Sequence, residues 1–308
     1  MRNPCKSLFI LSFLCFSCGS SPIHYERTTE VFSTACFFHA YEEKKEILSE
    51  LIDLANKHSK ALDRYDECSD LYVLNHSHEF IEVDPILLDC LSLCKVYEED
   101  SLLKNAFSIT LGDIKDLYEE SYANHCLPDQ DALEDKLEKA HQTSFEIEGN
   151  LVRRIGEGSF DLGGVAKGYY LLKAQEILKA KGVTKYQINL GKSSVLLGDS
   201  GVGDGIFNVS IKNHDNVRFK LKNAAISTSS TQEQSYKIDG VTYSHIFNPN
   251  NGSAISNYDV VTLVGDDPCY LDACSTAFMH MDIESIRSSN IQCVVIKDAK
   301  VVYSHGLI

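Results

Sequence analysis

Two short stretches carry residue types at spacings suited to phosphate and metal chemistry. The first is FDLGGVAKGYY, residues 160–170, with an acid (Asp161), the glycine pair Gly163-Gly164, Lys167 and a further glycine, leading into an apolar-periodic segment that reads as a helix. A glycine pair at a helix start lets backbone groups approach a ligand closely, and the helix N-terminus attracts phosphate. The spacing is neither the dinucleotide fingerprint nor the P-loop, so the stretch reads either as a ligand cradle or as a plain tight turn into a helix. The second stretch is LDACSTAFM, residues 271–279, in which Asp272 and Thr276 are four apart on a predicted helix and therefore share a face. A carboxylate and a hydroxyl on one face make a partial site for a hard cation, with Ser275 beside them. The competing reading is structural: an acid near a helix N-terminus, and a hydroxyl bonding back to a carbonyl.

Among 11 histidines, His245 stands out, because it ends a predicted strand just before the turn signals Asn248-Pro249 and Asn251-Gly252. Histidine is suited to accept a hydroxyl proton near neutral pH. Lys167, three residues past Gly164, sits where the helix dipole disfavours a cation, which points to an anion nearby. Tyr65 either offers its ring to a flat heterocycle or packs on the core at a helix end. The loop GDSGVGDG, residues 198–205, joins two predicted strands and opens no helix, so it reads as a hairpin turn. The chain has no G-x-S-x-G, no H-E-x-x-H and no zinc spacing.

The stretches DLGGVAKGYY, INLGKSSVLLGDS, AISTSS, YSHIFNPNNGSAIS and LDACSTAFM, in this order, resemble the ApbE family of flavin transferases, from about Val31 to the C-terminus. The resemblance implies transfer of FMN from FAD to a threonine or serine hydroxyl of an acceptor protein, with release of AMP and dependence on Mg2+. It implies a magnesium site of Asp272, Thr276 and the Gly164 carbonyl, with Ser275 as a further candidate. It also implies FAD contacts from Phe32, Tyr65, the segment Ala106-Phe107-Ser108 (read as a strand), Asp161, Lys167 and Ile246, and a base in His245. Acceptors would be flavin-bearing subunits of membrane redox complexes. Two rivals share these residues: an FAD pyrophosphatase giving FMN and AMP, and a non-catalytic FAD-binding or storage lipoprotein. Departures from the family pattern are Phe32-Ser33-Thr34 in place of Met-Gly-Thr, Lys192 and Ser230 in place of glycines, and Asn248 in place of an acid.

The 308 residues carry a net charge of -15, which argues against non-specific nucleic-acid binding and demands local rescue for any anionic ligand. Arg2 and Lys6, the apolar run 8–16 and the sequence Ser17-Cys18-Gly19-Ser20 resemble a bacterial lipoprotein signal. Residues 1–17 are then a signal peptide and Cys18 the lipidated first residue of a chain anchored to the inner membrane, facing the periplasm; the alternative is an ordinary cleaved secretory signal. Of 11 cysteines, Cys90 and Cys94 share a helix face and read as buried thiols rather than metal ligands, and export would permit disulfides.

The elements that would position these groups follow from periodicity. Residues 18–30 read as a tether and 31–308 as one domain. Strand 31–38 is followed by helices over 42–62, 85–103 and 129–141 and a hairpin over 145–155. A helix over 165–181, closed by Gly182, precedes short strands over 185–264, a helix over 270–281 and a terminal pair, 292–297 with 301–303. The class is α+β, with helices in the first half and a mixed, largely antiparallel sheet in the second.

Overall fold

A computed structural model describes residues 24–41, 45–232 and 235–307, so the signal segment and Cys18 lie outside the described residues. The chain opens with β1 (Tyr25–Val31) and β2 (Thr34–Ala40), then α1 (Glu46–Ala61), α2 (Asp70–Asn75), β3 (Ile81–Glu82), α3 (Pro85–Glu99), α4 (Gly112–Ala123) and α5 (Gln130–Gln142). The hairpin β4 (Ser144–Glu148) and β5 (Leu151–Ile155) leads to α6 (Ala166–Ala180) and then β6 (Tyr186–Leu190), β7 (Ser194–Leu197), β8 (Phe207–Ile211), β9 (His214–Leu221) and β10 (Ala224–Ser230). β11 (Ser235–Ile238), β12 (Val241–Ser244), β13 (Val260–Gly265), α7 (Pro268–Phe278), α8 (Ile283–Ser288), β14 (Gln292–Lys297) and β15 (Lys300–His305) complete it.

Eight strands form one sheet in the order β1-β2-β6-β7-β10-β13-β14-β15, and every pairing in it is antiparallel. The expected class holds, with a purely antiparallel sheet in place of a mixed one. The central strands are apolar on both faces, as a sheet covered on two sides requires. On β13 and β14, Val261, Leu263, Cys293 and Val295 join the main core, while Val260, Val264, Val294 and Ile296 join a second cluster with Val217 and Phe219 of the β8–β9 ribbon. Helices α1, α6 and α7 lie on the first face. A third cluster joins α4 and α5 to the β11–β12 side through Ile114, Tyr118, Leu133 and Phe247.

Three expectations change. Residues 25–30, read as tether, form β1 and pair along their whole length with β2. The single strand expected over 31–38 is therefore a hairpin, turned by Phe32 and Ser33 at φ 51° and 55°; both central residues are left-handed, as a tight hairpin of this kind demands. The loop 198–205 is not a hairpin turn, because β7 pairs with β6 and β10 whereas β8 pairs with β9. It carries the chain from one sheet to another. Helices α2, α4 and α8, too short or too polar to show a clear apolar stripe, were not expected. Among the described residues no helix is long and apolar enough to cross a membrane.

The α6–α7 crossing fixes the centre of the molecule, and Gly168 permits it. A Cβ at this position would overlap the Pro268 carbonyl oxygen and lie 2.9 Å from the Asp272 side chain. Alanine would gain about 1 kcal/mol in helix propensity. Against that stand about 1–3 kcal/mol of overpacking and disturbance of a hydrogen bond to a carboxylate worth about 1.5–3 kcal/mol. We expect Gly168→Ala to lose about 2 kcal/mol or more in urea unfolding; a variant as stable as wild type would contradict this packing account.

Candidate active site

The glycine turn is built locally. Asp161 takes its place through its N–H, which donates to Ile109 O (2.7 Å), and its Oδ1 accepts from Gly163 N (2.7 Å). Val165 has no capping side-chain bond, so the first N–H groups of α6 need partners from elsewhere. Gly168 N finds one in Oδ2 of Asp272 at 2.7 Å. An acid on α7 thus caps α6 across the core.

Strand alternation and register supply the rest of that carboxylate's shell. Ser227 and Ser229 are two apart on β10 and point to the α7 face, and Ser194 of β7 is registered opposite Ser227. Ser227 Oγ (2.5 Å) and Ser194 Oγ (3.0 Å) both donate to Asp272 Oδ1. Ser275 Oγ bonds to the hydroxyls of Ser227 and Ser229, each at 2.9 Å, and lies behind the carboxylate at 1 % exposure. Sequence reasoning did not assign Ser194, Ser227 or Ser229; the signal available was the S-x-S alternation in AISTSS.

Asp272 is 5 % exposed. Burial pushes its carboxyl above the usual range, outweighing the opposing pull of Lys167, Ser227, Gly168 and Ser194. Thr276 Oγ1 donates to Asp272 O at 3.1 Å, which uses its proton and leaves oxygen lone pairs for another partner. A Cβ on Gly164 would stand 3.2 Å from Thr276 Oγ1, so the glycine turn and this hydroxyl meet closely. The structural reading of Thr276 is thus correct in its hydrogen bond and compatible with ligation. Carboxylate, hydroxyl and carbonyl are the hard oxygen donors that Mg2+ takes, with few protein ligands and the rest from water and phosphate. The donor set therefore fits that ion. Among the described residues no group of three or more His, Cys, Asp and Glu could hold a metal, which also removes the metal reading of Cys90 and Cys94. Both thiols are fully buried and all eight described cysteines are free.

All thirteen of the expected cofactor, metal and base positions in the described chain line one cleft of about 2310 Å³. Asp161 is already engaged there: Lys115 Nζ is 2.8 Å away and Arg64 Nε 3.8 Å. Burial alone would raise its carboxyl, but Lys115, with Arg64 and the Gly163 N–H, holds it below the usual carboxylate range. Neither cation was expected from the sequence. Tyr65 is 54 % exposed, so the core-packing reading is wrong. Arg64 and Lys115 stand 4.9 and 5.5 Å from its ring centroid and steady it at the cleft wall. Ala106-Phe107-Ser108 is not the expected strand. Its neighbours bond locally instead, Ser108 Oγ to Thr110 Oγ1 (2.9 Å) and Ile109 N to Glu98 Oε1 (2.9 Å). Phe32 packs on Tyr170 with centroids 5.9 Å apart.

His245 follows β12 directly and is half-buried in the cleft. The bend is set by Ser244, whose Oγ donates towards Ile246 O (3.0 Å) and Ala254 O (3.1 Å). This turns Ile246 inward, to 7 % exposure, and leaves the imidazole facing the cleft.

The chain is 26% identical over 258 residues to the FAD:protein FMN transferase of Vibrio cholerae, covering 79% of this chain and 75% of that one. With the FAD:protein FMN transferase of Treponema pallidum it shares 24% over 313 residues, covering 90% and 86%. Its fold matches the crystal structure of the ApbE protein of Thermotoga maritima with a TM-score of 0.81 at 22% identity, over 92% of this chain and 97% of that one. The flavin transferase ApbE of Vibrio cholerae matches at 0.74 and 20% identity, over 92% and 97%. The model of the ApbE family spans residues 28–293, which takes in the glycine turn, the histidine bend and helix α7, and the chain belongs to that family.

Proposed function

We propose that this protein is a magnesium-dependent FAD:protein FMN transferase. The observation that carries the reading is the meeting of the Gly164 turn, Thr276 and the buried Asp272 carboxylate in one cleft with Lys167 and His245. Asp272, Thr276 and the Gly164 carbonyl would hold Mg2+, which when bound neutralises pyrophosphate charge. Tyr65, Phe107 and Ile246 offer apolar and aromatic surface to the rings of FAD. Lys167 is a point charge for the phosphates at the start of α6. His245 takes the proton of the acceptor threonine or serine hydroxyl through an imidazole nitrogen. The freed oxygen forms a bond to the FMN phosphorus, the pyrophosphate P–O bond breaks, and AMP leaves with the bonding pair. The protein's part is positioning and electrostatics.

Incubation of the full protein with FAD and Mg2+, with and without a threonine-bearing acceptor, tests this. Acceptor-dependent AMP and an acceptor heavier by one esterified FMN are expected. AMP without acceptor identifies a pyrophosphatase, and no AMP a binding protein. Asp272→Ala should abolish AMP release at low magnesium, because one lost carboxylate weakens a hard-cation site by well over a factor of ten, about 1.4 kcal/mol; undiminished turnover would remove Asp272 from the site.

His245→Ala should lower transfer by roughly 10²–10⁴ while FAD affinity and thermal stability hold. Stability and activity falling together would make His245 a structural residue, and wild-type transfer would remove it from the mechanism. The sequence further supports an exported chain anchored at Cys18, with acceptors in membrane redox complexes. Cys18→Ser should then move the protein from the membrane to the soluble fraction; an unmodified mature N-terminus elsewhere would end that reading.

A further inference from the structure

Left-handed backbone is costly for residues other than glycine, asparagine, aspartate and histidine. Among the described residues, four such positions stand at positive φ: Phe32, Ser33, Lys192 and Ala299. Three of the four line the active-site cleft, on two neighbouring hairpin tips. The β1–β2 tip carries Phe32 and Ser33, and the β6–β7 tip carries Gly191 and Lys192, with Gly191 N donating to Ala35 O at 3.1 Å. Lys192 is held at φ 68°, its N–H donating to Asn189 Oδ1 at 2.8 Å, and its side chain is exposed in the cleft.

Its position relative to Asp272 is what gives Lys192 a role. Lys167 precedes Gly168, whose N–H donates to one carboxylate oxygen, and Lys192 stands two residues before Ser194, whose hydroxyl donates to the other. The two lysines thus belong to segments that bond to the two oxygens of one carboxylate, one at a helix start and one at a hairpin tip, and both line the cleft. Lys115, also in the cleft, is neutralised by Asp161 at 2.8 Å. Among the described residues, Lys167 and Lys192 have no carboxylate within ion-pair distance, in a chain with 44 acidic and 29 basic residues. Two ammonium groups without a carboxylate partner, lining one cleft with the Asp272 carboxylate, make a frame for a diphosphate.

We propose that Lys192 is a second phosphate-binding residue, which grips the FAD pyrophosphate together with Lys167 from the β6–β7 tip and is held there at the expense of backbone strain. The proposal rests on the FAD-dependent reading above and goes beyond it, since that reading needs only Lys167.

The test compares Lys192→Asn, Lys192→Gly and Ala299→Gly in the full protein, measuring FAD affinity with Mg2+ and the thermal midpoint. Asparagine tolerates the left-handed turn, so Lys192→Asn removes the charge without new strain. It should weaken FAD binding roughly 10- to 150-fold, the range for a hydrogen bond to a charged group, and lessen the salt dependence of binding. Lys192→Gly should weaken binding equally while raising Tm by about 2–4 °C. Ala299→Gly, in the β14–β15 turn outside the cleft, should raise Tm and leave binding unchanged. Wild-type FAD affinity and salt dependence in both Lys192 variants would overturn the proposal, as would equal loss in Ala299→Gly. Failure of the wild-type protein to bind FAD at all would instead refute the functional reading.

Discussion

One buried carboxylate ties the molecule together. Asp272 accepts from the α6 backbone and from hydroxyls on β7 and β10, and it belongs to α7, so four elements converge on a single acceptor. Each of these bonds is stronger than a neutral one because the acceptor is charged, yet burial still pushes the carboxyl's pKa upward. The shell orients the group without meeting its full need for positive charge. An apolar residue at this position would serve the core better and leave three donors without a partner. The site's geometry and the helix crossing are therefore one feature of the structure, with Gly168 as the close approach that admits both.

The second constraint is electrostatic. A chain of net charge -15 that handles a polyanion must concentrate its cations, and the cleft does so in two ways. Arg64 and Lys115 are spent on Asp116 and Asp161, which stiffens the wall beneath Tyr65. Lys167, Lys192 and Lys212 line the same cleft with no carboxylate at ion-pair distance among the described residues. The strained tips at Phe32, Ser33 and Lys192 belong to the same wall, as expected where a turn is shaped for what it presents rather than for its own stability.

Legibility in the sequence followed the range of the interactions. Helix α6, its glycine turn and its Gly182 stop are local signals, and each was readable from neighbours a few residues apart. Asp272 and Thr276 were readable because helical spacing places them on one face. The serines that hold Asp272 were not, since Ser194 meets it only through the β7–β10 register, 78 residues away in sequence. Lys115 and Arg64 were hidden for the same reason, their partner Asp161 lying on a distant segment. Polar β1 resembled a tether because its order comes from pairing with β2, and GDSGVGDG resembled a hairpin because turn residues do not reveal which sheet the next strand joins. The strand expected at Ala106–Ser108 failed where side chains of Ser108 and Glu98 took over local backbone and hydroxyl bonds.

The central claim is that the Asp272 carboxylate, Thr276 and the Gly164 carbonyl form the anchor for a divalent cation. Anomalous diffraction from crystals grown with FAD and Mn2+ in place of Mg2+ tests it most directly. The account predicts one strong peak in contact with an Asp272 oxygen, Thr276 Oγ1 and Gly164 O, with the pyrophosphate completing the coordination. A peak elsewhere in the cleft, or FAD bound in full occupancy with no peak beside Asp272, would contradict it.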